Sequence, residues 1–302
     1  PQLLIIDKII KKGNVEISIK LNFDEKGKLK EDKYEIVADI ENLSIELFNK
    51  QKIEKVSCNI KYIKNKIQIK NLKSEYQGLE LFMKNVNFIK KNKYHLVEGD
   101  VESKESVVSN SIINMFVKNE NFKNISLSSN NNFKFNLSRK FKFSDLKLIS
   151  KINLVKAEYE TDSLKIKKYI PNFNNKITLL NQKININFDK KILLDGSGNF
   201  QIGKKIDDMK YDFEFNKGDV KFQLDLDVRK IPFNIDLINF MKSDDETLNF
   251  KIIGERKDKK MYLKKINIKR NNDKINFDDV YLSKNFQISD FKKINLEYLD
   301  IN

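Results

Sequence analysis

The sequence predicts a mainly β protein, a long and mostly antiparallel meander with one or two short helices. Three observations carry this. Apolar residues recur at every second position in segment after segment, the period of a half-buried strand. The joints between segments ("KNK", "KKNK", "DKK", "NNDK") are short and polar, which allows hairpins but not the long crossovers that parallel strands require. The chain has 9 Gly and 3 Pro in 302 residues, too few for a loop-rich protein.

The elements follow in order. "NVEISIKLNF" places Val15, Ile17, Ile19, Leu21 and Phe23 on one face. "KVSCNIKYI" repeats this with Val56, Cys58, Ile60 and Tyr62, and "NKIQIKNL" with Ile67 and Ile69. A region rich in Ser and Asn, residues 103–132, reads as a loop excursion, and within it "SVVSNSIINMFVKN" reads as a short helix with Ser109 or Asn110 as N-cap. Alternation resumes in "NFKFNL" (Phe133, Phe135, Leu137) and "KFKF" (Phe141, Phe143). "DSLKIKKYIP" reads as a short helical turn ending near Pro171.

The C-terminal part alternates most regularly. Its apolar positions are Ile184, Ile186 and Phe188; Tyr211, Phe213 and Phe215; Phe222, Leu224, Leu226 and Val228; Phe233, Ile235 and Leu237; Leu248, Phe250 and Ile252; Ile266 and Ile268; and Ile275 and Phe277. β-Branched and aromatic residues dominate these positions, as strands favour. The "GSG" at Gly196–Gly198 suggests a bulge or a close backbone approach. No linker interrupts the pattern, so residues 1–302 read as a single elongated segment. The chain begins at Pro1 and ends in the strand-like "LEYLDIN", and it reads as a piece of something longer.

Composition bounds the function. Hydrophobic residues are 40% and charged residues 33%, enough for a core and against wholesale disorder. The formal charge is +15, but it is carried by scattered lysines; arginine occurs only at Arg139, Arg229, Arg256 and Arg270. Abundant Lys, Asn, Ile and Phe reflect an AT-rich genome. A phosphate-gripping surface would favour clustered Arg and aromatics interleaved with basic residues on one face. Here the aromatics share the aliphatic face, so nucleic acid is not expected as a partner.

No catalytic pattern emerges. The single histidine, His95, has no acidic or nucleophilic partner at a recognisable spacing, and the single cysteine, Cys58, stands in phase with apolar neighbours as a small hydrophobe. Adjacent carboxylates such as Asp207–Asp208 point to opposite faces of a strand and do not converge. "DGSGNFQIG" has the wrong acidic spacing for a calcium loop. We therefore expect no enzyme, no metal and no cofactor.

A meander with one apolar face must cover that face, because soluble proteins rarely expose apolar patches beyond a few hundred Å². Too few helices are written to do so. Two solutions remain: the sheet folds on itself as a sandwich or closed barrel, or it curls into an open groove that holds apolar ligand.

At this point the C-terminal half resembles a known family. "KITLLNQKININFDKKILLDGSGNFQIGKKIDDMKYDFEFNKGDVKFQLDLDV", and the segment from "NFKIIGERKDKK" to "FQISDFKKINLEYLDIN", resemble the AsmA-like superfamily of the YhdP and TamB type. The similarity rests on the repeated short strands, the "GSG" before a strand, "IDDMKYDFEF" and the "FQISDFKKINLEY" ending, and it covers about residues 170–302. The resemblance implies a periplasmic segment of an inner-membrane-anchored protein of a Gram-negative bacterium. Its curled β-groove would conduct phospholipids between the inner and outer membranes. The groove lining would then be Val15, Ile17, Ile19, Leu21, Val56 and Ile60, together with the C-terminal positions named above from Ile184 to Phe277 other than Tyr211, Leu237 and Leu248. The alternative expectation is a structural sandwich or solenoid whose apolar face is an ordinary protein core.

Overall fold

The computed structural model describes residues 10–30, 34–46, 51–109, 111–112, 121–140, 142–160, 166–171, 173–235, 240–242, 246–257, 260–271, 273–282 and 288–297. Among these the chain forms β1 (Ile10–Lys20), β2 (Glu35–Glu46), β3 (Lys52–Ile63), β4 (Lys66–Tyr76), β5 (Leu79–Lys90), β6 (Tyr94–Val107), β7 (Phe122–Ser138), β8 (Phe143–Glu160), β9 (Lys176–Phe188), β10 (Ile192–Ile202), β11 (Lys205–Asn216), β12 (Asp219–Val228), β13 (Asn234–Ile235), β14 (Phe240–Met241), β15 (Leu248–Lys257), β16 (Lys260–Arg270), β17 (Asp273–Leu282) and β18 (Ile288–Glu297). A single 3-10 turn covers Ile166–Lys168, inside the stretch expected to turn before Pro171.

Sixteen strands make one sheet whose spatial order is the chain order, β1 to β12 and then β15 to β18. β1 and β18 are its two edges, so it is an open meander and not a barrel. Three hairpins are closed by two-residue turns with left-handed backbone at both positions: Lys64–Asn65, Gln77–Gly78 and Lys217–Gly218. That turn type matches the right-handed twist of the flanking strands.

The strands divide into two compact units, residues 1–113 with 128–150, and residues 114–127 with 151–302. The division falls within β7 and β8, not in a linker, and no shift in composition marks it.

The Ser- and Asn-rich stretch expected as a loop is strand at both ends: Ser103 lies in β6, and Phe122 to Asn132 lie in β7. Polar side chains are satisfied between strands there. Ser103 and Ser129 hydroxyls are 2.9 Å apart, Asn131 Nδ2 donates to the Val101 carbonyl at 3.0 Å, and the Ser150 hydroxyl donates to Asn131. Of the helix expected there, Ser111 and Ile112 are helical; residues 113–120 lie outside the described residues, as do Phe141 and Leu237.

One feature recurs mid-strand. Asn42, Lys55, Asn71, Asn181 and Asp279 have φ of 50°, 53°, 53°, 50° and 54°, the left-handed region. Each immediately precedes an inward residue lying three positions, not two, after the last one: Ile40 to Leu43, Ile53 to Val56, Ile69 to Leu72, Leu179 to Gln182, and Phe277 to Val280. The extra residue is a bulge, and it flips the parity of the alternation. The apolar set thereby stays on one face along the whole strand. Register irregularities mark this beside Asn42 and opposite Asn181.

Candidate functional site

The candidate site is the apolar face, and its geometry follows from the ladder. Residues directly opposite across an antiparallel pair share a face. In the first unit the registers join Ile19, Ile36, Tyr62, Ile67, Phe88 and Val97 into one row across β1 to β6. A second row joins Ile17, Ala38, Ile60, Ile69, Val86 and Gly99. Val15, Ile40 and Cys58 begin a third.

The two ends of the first row differ: Ile19 is 60% exposed and Val97 is 1% exposed. The expected residues Val15, Ile17 and Leu21 are exposed with Ile19 along the β1 edge, Ile60 is half-buried, and Val56 is buried. Among the described residues, the one other sheet is the β13–β14 pair, which belongs to the second unit.

In the second unit two rows cross eight strands and a third crosses seven. One runs Ile186, Leu194, Phe213, Phe222, Gly254, Leu263, Val280 and Phe291. The next runs Ile184, Gly196, Tyr211, Leu224, Ile252, Ile266, Phe277 and Ile294. The last joins Gly198, Met209, Leu226, Phe250, Ile268, Ile275 and Leu296. Phe188 and Phe215 flank Ile192 beyond the first row, and Val228 pairs with Leu248 beyond the last. The ladder thus brings the expected lining residues from Ile184 to Phe277 onto shared rows, except Phe233 and Ile235. It adds Leu194 and Met209, which are in phase with their neighbours, and Leu263 and Val280, which lie across a bulge where strict alternation from a single phase does not find them.

Phe233 and Ile235 are not in the large sheet. They belong to the chain between β12 and β15, which leaves the sheet and packs over its apolar face. The Phe233 ring meets Phe250 edge-on at 4.8 Å, and Tyr169, from the chain between β8 and β9, stacks on Phe233 at 6.2 Å. Phe173, Ile231 and Phe240 are buried with Val228, Leu248, Phe250, Ile268 and Ile275 in one cluster. Over this half of the second unit's face the covering layer is protein.

Polar contacts fix that layer. The Asp207 carboxylate accepts from the backbone N–H of Lys230 and, at 2.9 Å, of Ile231. Lys242 Nζ donates to the Arg229 carbonyl at 2.6 Å. Arg270 donates to Asp273 at 2.7 Å and to the Met241 carbonyl at 3.4 Å, with its guanidinium 4.8 Å from the Phe240 ring centre. The Asn234 N–H donates to the Tyr169 carbonyl at 2.9 Å and so ties the two covering segments together.

The opposite face is polar and pairs its own charges. Asn185 donates to Asp195 at 2.7 Å and Asn199 to Asp208 at 2.6 Å; Lys61 meets Glu35 at 2.5 Å and Lys191 meets Glu214 at 2.9 Å. Glu158, largely buried, is held by Lys156, Lys176 and Asn124, which pull its carboxyl down to about 2.

His95 is half-buried in β6 opposite Lys90. Cys58 is buried, and burial, with a smaller push from Asp39, raises its thiol above the ordinary range. Among the described residues no group of three or more His, Cys, Asp or Glu side chains is placed to hold a metal ion. No helix among them is long and apolar enough to cross a membrane. No protein-family model, no curated protein and no solved structure matches this chain.

Proposed function

We propose that the chain is a segment of an envelope-spanning protein that carries phospholipids along the apolar face of its sheet, between the inner and outer membranes. The observation that supports this best is the in-register apolar rows of the first unit. They cross six strands and stand open to solvent at the β1 edge, where Val15, Ile17 and Ile19 are 47%, 59% and 60% exposed. The resemblance of the C-terminal half to the AsmA-like superfamily points the same way.

The physics of such a surface suits transport. Each buried acyl CH₂ contributes about 0.8 kcal/mol, so a tail lying on the face is held without any specific contact. Successive strands repeat about every 4.8 Å, and each rung resembles the next. A tail can therefore move along the rows without meeting a deep trap. The head group stays with water and with the lysines of the polar positions, a diffuse attraction for anionic lipid.

The second reading, a structural interaction module with an ordinary core, draws on the covered half of the second unit, where Phe233 sits on Phe250. Purification without detergent, followed by lipid extraction and mass spectrometry, separates the two. The transport reading expects co-purified phospholipid, and oligonucleotide binding only at low salt. A lipid-free, fully folded preparation favours the structural module.

A further inference from the structure

The second unit divides its own apolar face into two halves. One half, around Phe250, Ile268 and Ile275, is buried beneath Phe173, Ile231 and Phe240. The other half, around Ile186, Leu194 and Phe213, lies outside that cluster and is only half-buried. The boundary runs across the strands: Ile186 on β9, Leu194 on β10, Phe213 on β11 and Leu224 on β12 lie outside the cluster, Phe222 and Leu226 on β12 pack against it, and on β16 and β17 all three rows, including Leu263 and Val280, belong to it or pack against it.

The cover is built to stay. Its entry is held by Asp207, which satisfies two consecutive backbone N–H groups. Its exit is held by Arg270, which bonds the Met241 carbonyl and packs on Phe240 while anchored to Asp273. Charge-assisted hydrogen bonds of this kind are stronger than neutral ones. The ring of Phe233 occupies the space over Phe250 that an acyl chain would otherwise take.

We propose that Tyr169, Phe173, Ile231, Phe233 and Ile235, with Phe240, form a fixed stop for acyl chains. Lipid tails on the second unit lie over Ile186, Leu194, Phe213 and Leu224, and do not reach Phe250 or Ile268. This rests on the phospholipid reading above and adds where on the face a tail ends. The physical reason is substitution. An aromatic ring already packed edge-on makes the dispersion contacts that a tail would make, and it leaves no apolar surface there for the tail to cover.

The test uses the full chain with vesicles of phosphatidylethanolamine and phosphatidylglycerol doped with a phosphatidylcholine bearing a diazirine on its acyl chain. After irradiation, cross-linked residues are mapped by mass spectrometry. The expected result is labelling of Leu194 and Phe213 at least about tenfold above Phe250 and Ile268, the ratio given by 1.4 kcal/mol of preference. In Phe233→Ser, and separately in Asp207→Ala with Arg270→Gln, labelling at Phe250 and Ile268 rises several-fold while labelling at Leu194 persists. Circular dichroism and the retained Leu194 signal establish that each variant is folded. Equal labelling of both halves in the unaltered chain overturns the stop and leaves the phospholipid reading standing. Folded variants that gain no labelling at Phe250 also overturn the stop. Absence of labelling anywhere overturns both proposals together.

Discussion

Tyr211 occupies the space in which a side chain at Gly196 would stand. The two residues face each other across β10 and β11, and a Cβ built on Gly196 falls 2.5 Å from the hydroxyl end of the Tyr211 ring. Gly196 does not have positive φ, so the requirement for glycine here is steric and not conformational. The ring thereby stays within the row and is 8% exposed, and burial, followed by the nearby Asp195, pushes its phenol up to about 12.

Gly196→Ala should therefore destabilise the fold by about 1–3 kcal/mol, the usual cost of forcing an extra carbon into a packed site. In a Tyr211→Ala background the same change should cost much less, because the obstructing ring is gone. A double-mutant cycle by urea denaturation reads the difference. Equal costs in the two backgrounds contradict the relationship.

The left-handed residue at each mid-strand bulge makes a second prediction. Asn181 has φ of 50°, which asparagine tolerates and β-branched residues do not. Asn181→Gly should change stability by less than about 0.5 kcal/mol, whereas Asn181→Val should cost about 1–2 kcal/mol. Denaturant midpoints check this, and a neutral valine would mean that β9 does not bulge there.

These bulges also show how far the fold was legible. The meander is legible because period two runs on either side of each bulge and unbroken in strands such as β12, with Phe222, Leu224, Leu226 and Val228. The bulges at Asn42, Asn71 and Asp279 leave a sign in the sequence, an Asn or Asp directly before an apolar residue that comes three positions after the last, as in "IKNL" at Ile69–Leu72; those at Lys55 and Asn181 do not. Phe233 and Ile235 misled for a different reason. Alternation records only that every second residue is buried, and it does not say whether the burial is in a ladder or against another sheet's face. What distinguishes them is Pro232 beside Ile231, since proline supplies no N–H to a ladder. The long Ser and Asn run of β7 read as loop by composition alone; its pairing depends on partners such as Val101 and Ser150 that are distant in sequence.

Glu158 sets a pH dependence. Its carboxyl lies at about 2 in the folded chain, against an ordinary value of 4.5. As pH falls, the unfolded chain takes up the proton first. The stability contributed by Glu158 is therefore fully present above about pH 4.5 and is lost progressively as pH falls toward 2. Glu158→Gln should be less stable at pH 7, because Lys176 and Lys156 at 2.9 Å and 2.7 Å lose their partner. The gap between variant and unaltered chain should narrow as pH falls from 5 to 3 and close only near pH 2. Urea midpoints across that range measure it, and a constant gap would show that the carboxylate charge contributes nothing.

Two neighbouring positions on β12 separate lipid contact from protein core. Leu226 packs against the covered cluster, and Leu224, one rung away on the same face, does not. An aspartate at 226 places an unpaired charge beside Phe250 and against the covered cluster, where such burial costs several kcal/mol at least. Leu226→Asp should therefore lower the denaturation midpoint sharply. An aspartate at 224 stands on the half of the face that we assign to acyl chains, so Leu224→Asp should remain folded at a smaller stability cost and lose most of its co-purified phospholipid. Gln223 points to the opposite face, where its amide donates to Asp225 at 2.7 Å, and Gln223→Lys should change neither quantity much. Denaturation and extracted-lipid content, measured on the same three preparations, read the pattern. Lipid retained in a folded Leu224→Asp protein would remove acyl chains from this row.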